Sequence, residues 1–235
     1  MKMGRKDTHP IPRVEEVLKL LRKFKIKATA YLDLGCSDGQ ITEEVAKIVD
    51  AKEVFGIDID CNALESAKLR GIKTFNLDLS KDRIPLNDGS VDLITAFEVI
   101  EHLVNPDNML KEAYRVLRRG GYFIISCPNL SWWVNRIVLA LGYQPYLTNC
   151  SLYYDVGKLW RPLKSGCTGG HLRSYTLRAL KELLEIYKFH VIKVKATTIT
   201  IVPKWLRTLD VLIAKLRPSL GLNIIILARK GSDNQ

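Results

Sequence analysis

Tyr31-Leu32-Asp33-Leu34-Gly35-Cys36-Ser37-Asp38-Gly39 is the stretch on which the fold of this chain turns. Its first part, 31–34, is a short apolar run that reads as a buried strand. The strand runs into a turn with glycine at Gly35 and Gly39, and the apolar spacing of 41–49 then reads as a helix. A second strand follows at 53–59, a second helix at 63–69 stopped by Gly71, and a third strand at 73–77. The turn Asn87-Asp88-Gly89-Ser90 introduces a fourth strand at 91–97. Asn105-Pro106 supplies an N-cap with proline at the first helical position. It opens a helix that closes at Gly120-Gly121, ahead of a fifth strand at 122–127.

Strand and helix alternating five times predicts an α/β fold, a parallel sheet with helices on both faces. Right-handed crossovers make such a sheet doubly wound. Upstream, 13–24 carries a helical stripe of Val14, Val17, Leu18, Leu21 and Phe24. Downstream the alternation breaks at 130–170, which is rich in Trp and Tyr and reads as a helix at 132–141 followed by irregular chain. A stretch of this length inside a domain suits a lid. A helix at 176–187, an alternating strand at 191–201, an amphipathic helix at 205–216 and an apolar strand at 223–228 complete the chain. The 235 residues suit a single domain with one elaboration. Its parts are an N-terminal basic helix (1–27), a core (28–129), the lid insertion (130–170) and a C-terminal completion of the sheet (171–235).

With 47% apolar and 26% charged residues, a disordered chain is excluded. No apolar run reaches the roughly 18–20 residues of a membrane span. Met1-Lys2-Met3-Gly4-Arg5-Lys6 is basic but leads into no apolar stretch, so no secretion signal is expected. The five cysteines, Cys36, Cys61, Cys127, Cys150 and Cys167, are odd in number and form no Cys-x-x-Cys pair. They fit a reducing, cytoplasmic setting and offer neither a zinc site nor a disulfide framework, so no metal is expected. Cys150 and Cys167 share one loop-rich segment and are the two to check for pairing. Residues 118–235 hold 18 basic and 5 acidic side chains, a net of +13, whereas 28–117 are acidic. That half attracts phosphorylated metabolites, nucleic acid or an anionic membrane surface, or is simply a solubilising surface. Charge alone chooses among none of these.

In a doubly wound sheet, ligands bind beyond the carboxyl ends of the strands. Here that rule selects 35–40, 58–60, 78–80, 97–102 and 127–130. The nicotinamide fingerprint wants glycine at 35, 37 and 40, but Ser37 and Gln40 stand at the last two, which disfavours a dehydrogenase. Glycine at 35 and 39, with Asp33 two residues upstream and Asp58 ending the next strand, has the shape used for a nucleoside without a pyrophosphate.

Several stretches in one order resemble the class I S-adenosylmethionine-dependent methyltransferases. They are 32–39, Phe55-Gly56-Ile57-Asp58-Ile59-Asp60, Leu77-Asp78-Leu79, Ser90-Val91-Asp92-Leu93-Ile94, Val99-Ile100-Glu101-His102-Leu103 and Arg115-Val116-Leu117-Arg118-Arg119-Gly120-Gly121. More narrowly, 127–136 with Gly142-Tyr143-Gln144-Pro145 is similar to the methionine-biosynthesis-protein-W type. Gly170-His171-Leu172-Arg173-Ser174-Tyr175-Thr176 is similar to a segment found there and in glycan-pathway methyltransferases. The resemblance implies a Rossmann-like, seven-stranded, mostly parallel sheet with an antiparallel last strand, and S-adenosyl-L-methionine as cofactor. It places Asp33, Gly35, Cys36, Ser37 and Gly39 at the methionine part of the cofactor. It gives Asp58 the ribose hydroxyls, Ile59 the adenine face, Asp78 and Leu79 the adenine edge, and Phe97 and Glu98 the surroundings of the sulfonium. Ser37 and Lys188 depart from it, since the family usually has glycine at both.

An acceptor that must lose a proton needs a base, and His171 suits that role near neutrality, ahead of Glu101, His102 and Tyr175. Arg136, Arg161, Lys164 and Arg173 are the candidates to hold an anionic group of the acceptor. Competing structural readings attach to several of these residues. Asp33 also suits tying the glycine loop by accepting N–H bonds, and Asp60 suits starting a helix. Glu101-His102 suits bracing the next helix, and Trp132-Trp133 suits the core of the lid. The helix from Trp205 to Leu216 suits packing on the sheet or lying on an anionic membrane. The expectation is a cytoplasmic S-adenosylmethionine-dependent methyltransferase with a small or lipid-linked anionic acceptor. An RNA methyltransferase and a non-catalytic cofactor-binding regulatory protein are the alternatives.

Overall fold

Ala30–Leu34 (β1) is buried at all five positions and runs parallel between Glu53–Asp58 (β2) and Val91–Phe97 (β4). A strand covered on both faces needs no polar alternation, which is why Tyr31, Leu32 and Leu34 are all buried, with Asp33 the one charged position among them. The computed structural model describes residues 12–151, 153–159, 170–198 and 202–231. Lys73–Asn76 (β3), Leu117–Pro128 (β5), Phe189–Thr197 (β6) and Asn223–Lys230 (β7) complete a seven-stranded sheet of order β3-β2-β1-β4-β5-β7-β6. β7 is antiparallel to β5 and β6, and the remaining pairs are parallel. The doubly wound sheet with an antiparallel last strand is thus the fold the sequence pointed to.

Pro12–Lys23 (α1) and Gln40–Val49 (α2) cover one face, burying Val17, Leu20, Leu21, Val45 and Val49 against Tyr31, Leu93, Ile124 and Leu227. Pro106–Val116 (α4) and Leu177–Ile186 (α6) cover the other. There Met109, Leu110, Ala113, Leu180 and Leu184 meet Leu32, Ile94, Phe123 and Ile226. Cys61–Leu69 (α3) packs beside β2 and β3. Asp60 caps it, accepting from the N–H groups of Asn62 and Ala63 at 2.9 and 3.3 Å, as its place before a helix implied.

Most boundaries fall within two residues of the sequence reading, and three regions differ in ways that matter. α4 stops at Val116 rather than at Gly120-Gly121, and β5 starts at once with Leu117, so the glycine pair lies inside the strand. Gly120 has φ +70°, and a Cβ there would meet the Arg229 guanidinium at 3.0 Å. Glycine here serves a strand irregularity rather than a helix stop. The strand expected at 191–201 starts earlier, running from Phe189 to Thr197, and 199–201 lie outside the described residues. The helix expected at 205–216 divides into a 3-10 turn, Lys204–Leu206, and Arg207–Leu216 (α7).

In the aromatic-rich segment, Trp133–Ala140 (α5) is helical. Trp132, Val134, Val138 and Tyr146 form a separate core with Val202 and Leu222. The Trp132 and Trp133 indoles both donate to Asp210 Oδ1 of α7, at 2.9 and 2.7 Å. Trp132 is thus fully buried and Trp133 half-buried, and both indoles are engaged within the fold. Cys36, Cys61, Cys127 and Cys150 are free thiols, and Cys167 lies outside the described residues. No described helix is long and apolar enough to cross a membrane.

Candidate functional site

The carboxyl ends of β1, β2 and β4 meet at the glycine turn. Gly35 and Gly39 have φ +77° and +78°. A Cβ on Gly35 would stand 2.3 Å from Val99 Cγ2, and one on Gly39 would stand 2.6 Å from Ile72 Cδ1. The turn is therefore wedged between α3 and the turn after β4, and both glycines are required by space as well as by backbone. Ser37 has φ +49°, the left-handed backbone that suits the glycine the family carries there. Its N–H donates to Asp58 Oδ2 at 2.8 Å, while Asp58 Oδ1 accepts from the Asp60 N–H at 2.9 Å.

Asp33 lies beneath the turn, buried, with Oδ2 accepting from Thr42 Oγ1 and Oδ1 from Thr95 Oγ1, both at 2.5 Å. It ties β1 to α2 and β4 through hydroxyls rather than through the N–H bonds expected of it. Burial pushes its carboxyl up to about 6, against the two hydroxyl bonds. Cys36 is buried and its thiol is pushed well up by burial, so it is no nucleophile. Ile59, by contrast, is 71% exposed. Asp78 accepts from the Ser80 N–H at 2.9 Å, and that bond holds its carboxyl below the usual range. Leu79 is buried in the main core, so only its backbone faces outward chemistry.

These residues fit an adenosyl group. Each Asp58 oxygen has one protein donor and keeps a lone pair for a sugar hydroxyl. Ile59 offers an apolar face in solvent, and Gly35 presents bare backbone.

Val99, against which Gly35 packs, also begins the second half of the site. Phe97 and Glu98 close β4, and Glu98 takes φ +57°. Its carboxyl is half-buried, accepting from Ser126 Oγ at 2.9 Å and Asn223 Nδ2 at 3.4 Å, and desolvation raises its pKa. In the 3-10 turn Ile100–His102, Glu101 is buried and neither carboxyl oxygen has a hydrogen-bond partner. Burial, then the Glu98 carboxyl beside it, pushes Glu101 up to about 8. His102 Nε2 stands 4.0 Å from Glu101 Oε1, and the His102 and His171 rings meet edge to face at 4.8 Å. His171 Nδ1 bonds the Leu147 carbonyl at 2.9 Å. The Leu172 and Arg173 N–H groups donate to the Glu101 carbonyl at 2.9 and 3.0 Å, which pins the 171 segment onto the 101 turn.

The fold thus brings together Glu101, His102 and His171, seventy positions apart in sequence. Among the described anion-holder candidates, Arg136 and Arg173 are engaged with backbone carbonyls instead. Arg173 donates to the Leu103 and Val104 carbonyls, Arg136 donates to the Ser131 carbonyl, and Arg161 and Lys164 lie outside the described residues. Tyr175 is buried and its phenol is pushed up to about 12, so it is no base. Sequence reasoning missed Arg13 of α1, whose charge acts on both Glu98 and Glu101. It also missed Ser126 and Asn223, which hold Glu98. Only the sheet order sets β7 beside β5 and so brings Asn223 there, and no local signal marks it. Two surface hollows, of about 370 Å³ beside α2 and about 560 Å³ beside α6, lie away from this cleft. The first mixes Glu43, Lys47, Asp50 and Arg70 with small and apolar residues, the second is lined mainly by charged and hydroxyl side chains, and neither holds a buried titratable group.

A methyltransferase-domain family matches residues 32–125. A probable S-adenosylmethionine-dependent methyltransferase of Mycolicibacterium smegmatis is 35% identical over 98 residues, 42% of this chain and 37% of that protein. The mitochondrial ubiquinone biosynthesis O-methyltransferase of Candida albicans is 34% identical over 112 residues, 43% of this chain and 34% of that protein. The chain thus spans little more than a third of the length of these curated relatives. A solved S-adenosylmethionine-dependent methyltransferase of Methanosarcina mazei superposes with a TM-score of 0.63, covering 91% of this chain and 98% of its own. At 19% identity it shows the fold alone. The narrower resemblances at 127–136, 142–145 and 170–176 lie outside the matched residues. Residues 32–125 thus match a methyltransferase-domain family, and the chain around them has the fold found in solved S-adenosylmethionine-dependent methyltransferases.

Proposed function

We propose that this chain transfers a methyl group from S-adenosyl-L-methionine to a small or lipid-linked acceptor that loses a proton at the Glu101–His102–His171 cluster. The carrying observation is that one residue, Val99, joins a nucleoside-shaped end to a buried titratable end, because Gly35 packs directly on it. When bound, the cofactor supplies a methyl group already activated on a sulfonium. The chain's own work is placement. Asp58 orients the sugar, Ile59 covers the base, the bare backbone at Gly35 admits the methionine part, and Phe97 and Glu98 wall the acceptor side. Alignment of this kind accounts for several kcal/mol of barrier lowering, on the order of 7–11 at best. The ubiquinone biosynthesis O-methyltransferases among the relatives support an oxygen acceptor on a small molecule.

The surface of α7 supports an acceptor at an anionic lipid surface. This helix turns Asp210 and Ala214 inward and leaves Leu212 and Leu216 51% and 72% exposed, and Trp205 in the 3-10 turn before it is 79% exposed. Lys204, Arg207, Lys215 and Arg217 flank them. The free thiols fit the cytoplasmic side of such a surface.

Incubation with methyl-labelled cofactor and fractionated cell extract tests the proposal. Label in a lipid or small-metabolite fraction is expected. Label in RNA, which the net +13 of 118–235 favours, overturns the acceptor. Cofactor binding with no transfer to any fraction makes the chain a binding protein. In calorimetry, Asp58→Ala is expected to abolish cofactor binding, and unchanged affinity overturns the site.

A further inference from the structure

Glu101, His102 and His171 form a set that the nucleoside end of the cleft does not explain. One carboxylate oxygen and two imidazole nitrogens from these residues lie within 4.8 Å of one another. Glu101 is buried and both its oxygens lack a protein partner. Buried polar groups are almost always satisfied, so a doubly orphaned carboxyl marks a missing ligand or strain. His171 narrows the choice. Its Nδ1 is 2.9 Å from the Leu147 carbonyl, which only accepts, so Nδ1 carries the proton and Nε2 keeps its lone pair. A ring nitrogen held by a backbone carbonyl while the other stays free is the usual outer-shell arrangement of a metal-binding histidine. The backbone bonds from Leu172 and Arg173 to the Glu101 carbonyl then hold the two halves of the set in fixed register.

We infer that Glu101, His102 and His171 bind one divalent transition cation, Zn²⁺ or Co²⁺ before Mg²⁺, with coordination positions left open toward the acceptor. Two imidazoles and a carboxylate suit these borderline ions, whereas Mg²⁺ prefers oxygen and water. A cation about 2.0–2.2 Å from each ligand atom needs the set to tighten. Glu98 is not a ligand, since Ser126 and Asn223 already hold its oxygens. Three protein ligands with open positions make a catalytic rather than a structural site. An acceptor hydroxyl at an open position becomes more acidic, and His171 then acts as a ligand instead of a free base. That last consequence rests on the methyl-transfer reading, and the cation site does not.

The test titrates the chelator-treated full chain with Co²⁺ alone, following its visible d–d absorption, and with Zn²⁺ by calorimetry. One equivalent with a visible Co²⁺ band is expected. Glu101→Gln and His171→Asn are each expected to weaken binding at least tenfold. His102→Asn, at a partly exposed side chain, is expected to do the same without threatening the fold, which far-UV circular dichroism checks. Failure of the parent to bind Co²⁺, or equal binding by parent and all three variants, overturns the site. Calorimetry with S-adenosyl-L-methionine on the same samples separates the two readings. Cofactor binding without Co²⁺ binding sinks the cation site alone. Co²⁺ binding with neither cofactor binding nor methyl transfer sinks the function and leaves the site standing.

Discussion

Lys188 and Ser37 hold left-handed backbone, with φ +60° and +49°, at the two positions where the resemblance in the sequence leads one to expect glycine. A side chain in that region costs about 1–2 kcal/mol, and glycine returns part of the difference through the freedom of the unfolded chain. Lys188→Gly is therefore expected to raise stability by about 0.5–1 kcal/mol, read as a higher urea midpoint at unchanged slope. Gly35→Ala has the opposite sign, because the new methyl would overlap Val99 Cγ2 in addition to straining the backbone. It is expected to lose more than about 2 kcal/mol and to impair cofactor binding. Asp33 gives a pH signature. Its folded carboxyl titrates at about 6, against 3.8 ordinarily, so the folded state binds this proton more tightly than the unfolded. Its contribution to stability falls as pH rises from about 4 to about 6 and is level above that. Asp33→Asn is expected to remove this slope in urea unfolding series at pH 4, 5, 6 and 7, and an unchanged slope assigns it elsewhere.

At the scale of elements, two buried charge contacts join pieces the sequence keeps apart. Arg115 of α4 grips Glu112 with two nitrogens at 2.9 and 2.6 Å, and reaches the Leu86 and Ile84 carbonyls at 2.8 and 2.7 Å. It thereby fastens the connection between β3 and β4 onto the helix, and its guanidinium holds Glu112 below the usual carboxylate range. That contribution is present above the unfolded pKa of Glu112 and lost as pH falls through its lowered folded value, opposite in sign to Asp33. Asp210 joins α5 to α7 by accepting both indole N–H groups. Asp210→Ala leaves these donors unpaired, Trp132's fully buried, and is expected to cost about 2–3 kcal/mol with a red shift of tryptophan emission. On the outer side of α7, Leu212 and Leu216 are exposed. Leu212→Glu with Leu216→Glu is expected to leave unfolding unchanged and to abolish co-sedimentation with anionic vesicles. Retained sedimentation removes α7 from the lipid contact.

The whole molecule sets an acidic stretch, 28–117, against the basic 118–235, so that most of the nucleoside end is carried by the acidic part and α5, α6 and α7 by the basic part. In the proposed reaction, a cofactor with a sulfonium charge would meet the first, and an anionic acceptor or surface the second. Exposed charges are screened within about 8–10 Å at physiological salt. Binding to anionic vesicles is therefore expected to weaken steeply between about 0.05 and 0.5 M salt, whereas cofactor affinity, set by close contacts in the cleft, changes little. Equal salt sensitivity of the two contradicts this division of labour.

Periodicity and turn chemistry are local, and they determined most of the architecture. The apolar run at 31–34, the glycines at 35 and 39, and the Asn105-Pro106 start are each readable within a few residues, because strand burial, left-handed backbone and helix capping act over that distance. The boundary at Gly120-Gly121 was misread for the same reason, since a glycine pair signals a helix stop only when no partner strand claims it. The nucleoside end of the site was legible because Asp58 and the turn sit on adjacent strands of a motif with fixed spacing. The acceptor end was not, although its residues were singled out individually. Nothing local brings His171 to Glu101, points Asn223 at Glu98, or leaves two carboxylate oxygens without donors. Those relations arise when β7 inserts between β5 and β6 and the 171 segment docks on the 101 turn, and contacts of such sequence separation exist only in the folded chain.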